Sequence, residues 1–461
     1  MTFKEKLDTI PFSLSNQMQR RLLGLAVTIL ASALGISLVL SFDSPRTILL
    51  LGVSAALVIF WKPVLGLALY LVAYPLVPAE ESLNPLKIAV FCLFILIFSA
   101  WLINKTFHKE RLFSRPENRY LYIFFLFLCF SPLLGVENNF GVIDWARDIA
   151  PLLNLLLIPI MVDYFDKKEN RWLLYLVFTL WILSTVQNIV LLLSIYDVPY
   201  TDWVYTVPRI IPLHPSLGVG LGLLMCLSRT RRWRFWLIFS IMNLAMAFLT
   251  PGRTIWITTL TILLLIVVFS SYKRLWATLA IGILVFIMGF LFFKGGSGSY
   301  VDLQRERLHK LVEYRYDLSF ENRLEEINQT GDLFLSAPVW GVGFGYQYDF
   351  WRPFITGIGP GFLDTNYTHN DIMYIASKGG LIGLILFGLM LYGMGKKLFQ
   401  RRKENPGSIE SAWATIALVA LINSLIIGLS TPVFQTRSAV FALAILLTLG
   451  LGYKRTESNG R

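Results

Sequence analysis

Histidine and cysteine are scarce in this 461-residue chain, with four of the first and three of the second. Cys92, Cys129 and Cys226 all fall inside apolar runs, so they offer no disulfide framework and read as packing or lipid-facing residues. Charge is thin as well, at 15% of residues. There is no Asp-x-Asp pair, no histidine cluster and no glycine-rich phosphate loop, which argues against a metal site and against a nucleotide-sugar enzyme. Period-two alternation is missing from the apolar segments, and this excludes a transmembrane β-barrel. No small-residue cleavage site follows the first apolar run, so the first helix is expected to stay as an anchor.

What the chain has is apolar length. Hydrophobic residues make up 55% of it, and runs of spanning length recur from residue 22 to residue 452. We read spans near 22–41, 46–61, 64–77, 86–103, 120–134, 148–165, 172–194, 214–228, 235–250, 254–270, 275–293, 370–394, 412–430 and 438–452. The expectation is an all-α polytopic membrane protein with roughly 12–14 transmembrane helices, some of them short for a ~30 Å hydrocarbon core. Basic residues gather in alternate loops: Lys4, Lys6, Arg20 and Arg21; Lys105, Lys109, Arg111, Arg115 and Arg119; Arg229, Arg231, Arg232 and Arg234; Lys396, Lys397, Arg401, Arg402 and Lys403. The positive-inside rule then puts both termini in the cytoplasm. The net charge of +12 comes mostly from this asymmetry and does not call for nucleic acid.

On the opposite side the loops are short except for residues 294–369, which hold seven Lys or Arg and ten Asp or Glu. Within this loop Phe320, Leu324, Ile327 and Phe334 keep roughly helical spacing, predicting an amphipathic helix lying along the membrane surface. Gly341-Val342-Gly343-Phe344-Gly345 should end it with a tight turn. We divide the chain into N-terminal transmembrane helices (1–204), a catalytic membrane region (205–452, including the 294–369 loop) and a short tail (453–461).

Four residues on that side carry candidate chemistry. His369, in Thr368-His369-Asn370, stands at the mouth of an apolar helix, where Asn366, Thr368 or Asn370 can cap and the helix dipole disfavours an imidazolium. Arg253 lies in the short turn Thr250-Pro251-Gly252-Arg253, a cation on the side where cations are rare; an interfacial arginine snorkelling to lipid phosphate is the plain alternative. Arg209 precedes the run opening His214-Pro215-Ser216. Arg323 sits on the loop helix, where pairing with Glu326 would also account for it. Asn370, Arg147 and Arg437 are possible supporting residues, although Asp144, Arg147 and Asp148 also read as an internal ion-pair cluster.

Asn366-Tyr367-Thr368-His369-Asn370 followed by Gly380-Leu381-Ile382-Gly383 resembles the His-Asn and spaced glycines of the O-antigen ligase and polymerase superfamily. Thr250-Pro251-Gly252-Arg253 is similar to that family's arginine turn, with Thr254 where a small residue is usual. Asn322-Arg323-Leu324 through Pro338-Val339-Trp340-Gly341-Val342-Gly343 resembles its periplasmic arginine helix and following Pro-Leu-Gly-Val-Gly. Arg209 to Ser216 resembles its upstream arginine and Pro-Asn, with Ser216 in place of asparagine. The likeness covers roughly residues 205–395.

The resemblance implies a metal-independent glycosyltransferase with no cofactor, taking a glycan from undecaprenyl pyrophosphate at the periplasmic face of the bilayer. The acceptor is lipid A core for a ligase, or another glycan repeat for a polymerase, and His-Asn with its glycine spacing favours the ligase. Physical chemistry suggests the roles: Arg209 and Arg253 clamp the pyrophosphate as charge develops on it, Arg323 closes over the donor phosphates or orients the acceptor, and His369 deprotonates the acceptor hydroxyl. A transporter or flippase is the rival class. It would place ionisable groups at mid-span in repeated halves, whereas the span centres here carry amides such as Asn154, Asn188, Asn243 and Asn423.

Overall fold

The computed structural model describes residues 59–60, 62–77, 85–107, 115–138, 140–165, 170, 172–195, 213–228, 233–249, 253–269, 318–355 and 359–453. The expected spans at 22–41 and 275–293, and 46–61 apart from its last residues, lie outside them. Helices dominate, and four are long and apolar enough to cross a membrane: Leu86–Phe107, Val142–Phe165, Asp371–Glu404 and Ile409–Ile427. With the shorter apolar helices beside them, this is an all-α polytopic membrane protein.

The chain divides into two compact units, Met1–Lys109 and Glu110–Arg461. In the first, α1 (Pro63–Ala73) packs on α2 (Pro85–Phe107). Gly66 makes room for Ile59 and Ile97, and the rings of Tyr70 and Phe94 stand 5.7 Å apart. Proline at the first position of each helix costs no hydrogen bond there.

The second unit holds α3 (Pro116–Phe130), α4 (Pro132–Asn138), α5 (Val142–Leu153), α6 (Leu157–Phe165), α7 (Trp172–Ile195), α8 (Leu213–Leu227), α9 (Trp233–Leu249), α10 (Arg253–Phe269), α11 (Leu318–Ser336), α12 (Asp371–Glu404), α13 (Ile409–Ile427) and α14 (Arg437–Gly452). A single 3-10 turn, Asn154–Leu156, joins α5 to α6 into one apolar rod. Small residues let the helices close on one another, as membrane packing requires where no hydrophobic force drives association. On α8, Gly218 lies against Asn243 and Gly222 against Ser240, both on α9, while Gly220 meets Ile262 of α10 and Ile416 of α13. Asn154 Nδ2 and Asn243 Nδ2, on two of the mid-span amides, donate to nearby carbonyls, Pro151 O at 3.0 Å and Phe239 O at 2.9 Å.

The expected loop helix is present as α11. Its buried positions are Glu326 and Thr330, while Leu324, on the apolar spacing, is 46% exposed. The apolar spacing therefore located the helix without identifying the face turned to the protein, which is set by a polar contact described below. After α11 comes an unexpected element, an antiparallel hairpin of β1 (Tyr348–Ile355) and β2 (Gly359–Thr365), in register Tyr348↔Thr365 and Trp351↔Phe362. Among the described residues this hairpin is the one departure from helix and loop.

α12 is not one straight rod. At 1.5 Å per residue the 31 steps from Asp371 to Arg402 would extend about 46 Å, yet the 17 steps from Ser411 to Gly428 on its neighbour cover only about 25 Å. Both ends of the two helices touch, Asp371 N–H donating to Gly428 O at 2.7 Å and Ser411 Oγ to Arg402 O at 2.8 Å. The difference is absorbed at Gly380, where φ is +60° and ψ −164°. Residues 371–379 therefore turn across one end of the bundle, and Leu381 to Glu404 cross it. The freed backbone groups are taken up by the stretch after α11: Val342 N–H and Gly343 N–H donate to Ser377 O and Lys378 O, while Leu381 N–H and Ile382 N–H donate to Pro338 O and Val339 O. Broken helices at membrane depth require such a replacement. Glycine is needed on both sides, since a Cβ at Gly380 would sit 2.3 Å from Val339 O and one at Gly341 2.4 Å from Lys378 O.

Candidate functional site

The site grows from the start of α12. Asn370 is the residue that caps it, its Oδ1 accepting from Ile372 N–H at 3.0 Å and Met373 N–H at 3.1 Å. Its Nδ2 donates to Leu429 O at 3.2 Å, tying the helix start to the turn between α13 and α14. The next residue, Asp371, is buried and accepts from Val433 N–H at 2.8 Å, Phe434 N–H at 3.1 Å and Gln435 Nε2 at 2.9 Å. Gln435 also brackets Thr368 as one peptide brackets another, receiving its N–H at 3.0 Å and donating to its carbonyl at 2.8 Å. His369 is thus held between two residues whose positions the α13–α14 turn dictates.

Its side chain is held from the opposite side. Nδ1 lies 2.7 Å from Glu326 Oε2, and the backbone N–H of His369 donates to the same oxygen at 2.9 Å. An oxygen that accepts the backbone N–H and lies this close to the ring acts as the acceptor for both, so the neutral ring carries its proton on Nδ1 and leaves Nε2 as the free base. Glu326 is 1% exposed and His369 27%, so the carboxylate is sealed while the imidazole remains reachable. The ring of Tyr367 stands edge-on at 5.7 Å. Sequence reading set the helix dipole as the influence on His369; the structure adds a buried carboxylate in direct contact, which is far closer than any dipole end.

Glu326 entered the sequence reading as a possible partner of Arg323; the structure adds its contact with His369. It lies one turn along α11 from Arg323, and so does the work of presenting both side chains on the same helix. A buried Glu326 three residues after Arg323 and four before a buried Thr330 is the polar face in question, legible as a spacing but hidden by the stronger apolar one.

The other candidates separate. Arg253 is the first residue of α10. Ser216 Oγ lies 2.8 Å from Thr259 Oγ1, joining the start of α8 to the first turns of that helix. Arg209 lies outside the described residues. Arg437 opens α14, two residues after Gln435, and is brought to the His369 side of the fold by the bonds of that glutamine. Arg147 is not brought to the histidine by any of these bonds. It is 44% exposed and stands 3.6 Å from Asp144, as the ion-pair reading of that cluster expects. Its neighbour Asp148 departs from that cluster reading, pairing instead with Lys378 of α12 in the protein interior. The glycines after His369 have two uses: Gly379 and Gly383 lie against the ring of Phe127 on α3, and Gly380 makes the break.

Residues 238–388 match the family model described as O-antigen ligase. The match runs from α9 into the spanning part of α12 and includes Arg253, Arg323, Glu326 and His369; it supports the O-antigen ligase superfamily that the sequence resembles. No curated protein matches the chain.

Proposed function

We propose, on the O-antigen ligase match over residues 238–388, that this protein is an inner-membrane glycosyltransferase with both termini cytoplasmic and its site facing the periplasm. It transfers a glycan from undecaprenyl pyrophosphate to a hydroxyl of lipid A core. The observation that carries the reading is the contact between His369 Nδ1 and the buried Glu326 carboxylate, with Nε2 left as a base.

In this reaction His369 Nε2 takes the proton of the acceptor hydroxyl as its oxygen attacks the anomeric carbon. The bond from that carbon to the pyrophosphate oxygen breaks, and the electron pair leaves with the lipid pyrophosphate. Glu326 holds the ring in the needed tautomer and faces the positive charge that forms on it, a buried carboxylate serving a histidine in the manner of hydrolase triads. A positioned base contributes about 10² to 10⁴ in rate. Arg253 and Arg209 meet the charge on the leaving pyrophosphate, and Arg323, on the helix that carries Glu326, orients the donor phosphates. Each of these roles uses a group of the chain itself, and none requires a metal.

The test uses purified protein in nanodiscs with an undecaprenyl pyrophosphate-linked glycan and a lipid A core acceptor. Transfer to core that survives EDTA and is lost in His369→Ala and Arg253→Ala supports the ligase. Elongation on the lipid carrier without transfer to core makes the protein a polymerase. Movement of the lipid-linked glycan across the bilayer with no covalent product overturns transferase chemistry.

A further inference from the structure

We infer that Asp148 and Lys378 are a positioning pair for His369, acting through Asn366; this rests on the reading of His369 as the base. Both side chains are almost wholly enclosed, at 2% and 3% exposure, Asp148 on the apolar rod of α5 and α6 and Lys378 two residues before the break in α12. The pair is a hub for four stretches of chain. Asp148 Oδ2, on α5, receives Lys378 Nζ from α12 and Gly345 N–H from the stretch after α11, the latter at 2.8 Å. Asp148 Oδ1 receives Asn366 Nδ2 at 2.9 Å. Lys378 Nζ donates in turn to Tyr346 O at 2.9 Å, and Tyr374 OH to the backbone carbonyl of Asp148 at 3.3 Å.

Stability alone does not account for the pair. A buried ion pair usually contributes no more than apolar residues of the same volume would, and ionisable groups inside membrane spans are retained for what they do. What apolar side chains here could not do is accept from Asn366 and Gly345 together while donating to Tyr346. Asn366 is three residues before His369; beyond it Tyr367 O accepts from Tyr348 OH at 3.2 Å and the Thr365 hydroxyl at 3.3 Å, Thr368 is held by Gln435 and His369 by Glu326, so among these Asn366 is the side chain that ties the stretch to α5. Asp148 therefore fixes one end of the five-residue stretch Asn366–Asn370 whose other end is the cap of α12. With that end released, His369 keeps its chemistry but samples positions off Glu326.

Two variants separate this from folding. Asn366→Leu leaves the ion pair whole and cuts only the link. Asp148→Leu with Lys378→Met removes the pair without stranding a charge. The readout independent of substrate is the rate at which diethyl pyrocarbonate modifies His369, followed by peptide mass spectrometry and referred to the other histidines. Asn366→Leu is expected to change that rate by about 3- to 10-fold, the factor one hydrogen bond supplies, with kcat lowered by a similar factor and KM nearly unchanged. An unchanged modification rate in Asn366→Leu overturns the inference, whether or not the double variant folds. A changed rate with undiminished transfer upholds the pair as the anchor of the loop and overturns the role of His369 instead.

Discussion

His369 Nδ1 and Glu326 Oε2 lie 2.7 Å apart, one residue at the mouth of a spanning helix and the other in the middle of a loop helix 43 positions earlier. The backbone N–H of His369 shares the same oxygen. Loss of the carboxylate therefore acts on both the ring and the loop. Glu326→Gln retains an acceptor but not the charge, and is expected to lower kcat about 10-fold or more, a part of what a positioned base supplies, with little change in melting temperature. Glu326→Ala also leaves an N–H without its acceptor and is expected to lower both. Steady-state transfer assays beside thermal unfolding in detergent distinguish the two effects.

Arg253 tests the pyrophosphate clamp. Its replacement by Ala is expected to cost about 10² to 10³ in kcat, as removal of one preorganised electrostatic donor does. Arg253→Lys should recover only part of this, because an ammonium lacks the planar fork that meets two phosphate oxygens. Full activity in the lysine variant would reduce the role of Arg253 to general attraction.

The break in α12 makes its own demand. Gly380→Ala places a Cβ 2.3 Å from Val339 O at a residue whose φ is +60°. It is expected to destabilise the protein by more than the roughly 1–2 kcal/mol of the backbone conformation alone. Gly388→Ala, on the same helix with nothing within 4 Å of the added methyl group, should be neutral. Melting temperatures of the two variants in one detergent give the comparison.

Asp371 fastens the α13–α14 turn to the site through three donors. Asp371→Ala leaves the Val433 and Phe434 N–H groups unpaired, at about 1–3 kcal/mol for each group that stays buried. Gln435→Ala removes the bracket on Thr368 and one of the three donors to Asp371, leaves the Val433 and Phe434 bonds in place, and should reduce kcat more than it reduces the melting temperature. Equal loss of both properties in the two variants would make the latch purely structural.

Much of the architecture was legible because membrane physics leaves few choices. Continuous apolar runs without period-two alternation can only be helices, so the predicted spans at 172–194, 254–270 and 412–430 meet α7, α10 and α13 within a few residues. The expected helix and glycine turn of the long loop are also present, with positive φ at Gly341, Gly343 and Gly345. The hairpin at 348–365 was not expected, since its pairing depends on two strands finding one another and not on any local run.

By itself, the sequence determined the helical membrane class and singled out His369, at the start of an apolar helix, as a candidate, because hydropathy and helix caps are properties of neighbours along the chain. Tertiary structure decided which carboxylate meets the histidine, which lysine answers Asp148, and where α12 breaks. Those outcomes depend on residues 43 and 230 positions apart and on backbone groups exchanged between two segments. No local periodicity carries that information, since a buried charge or a freed carbonyl takes whichever partner the packed helices bring within reach.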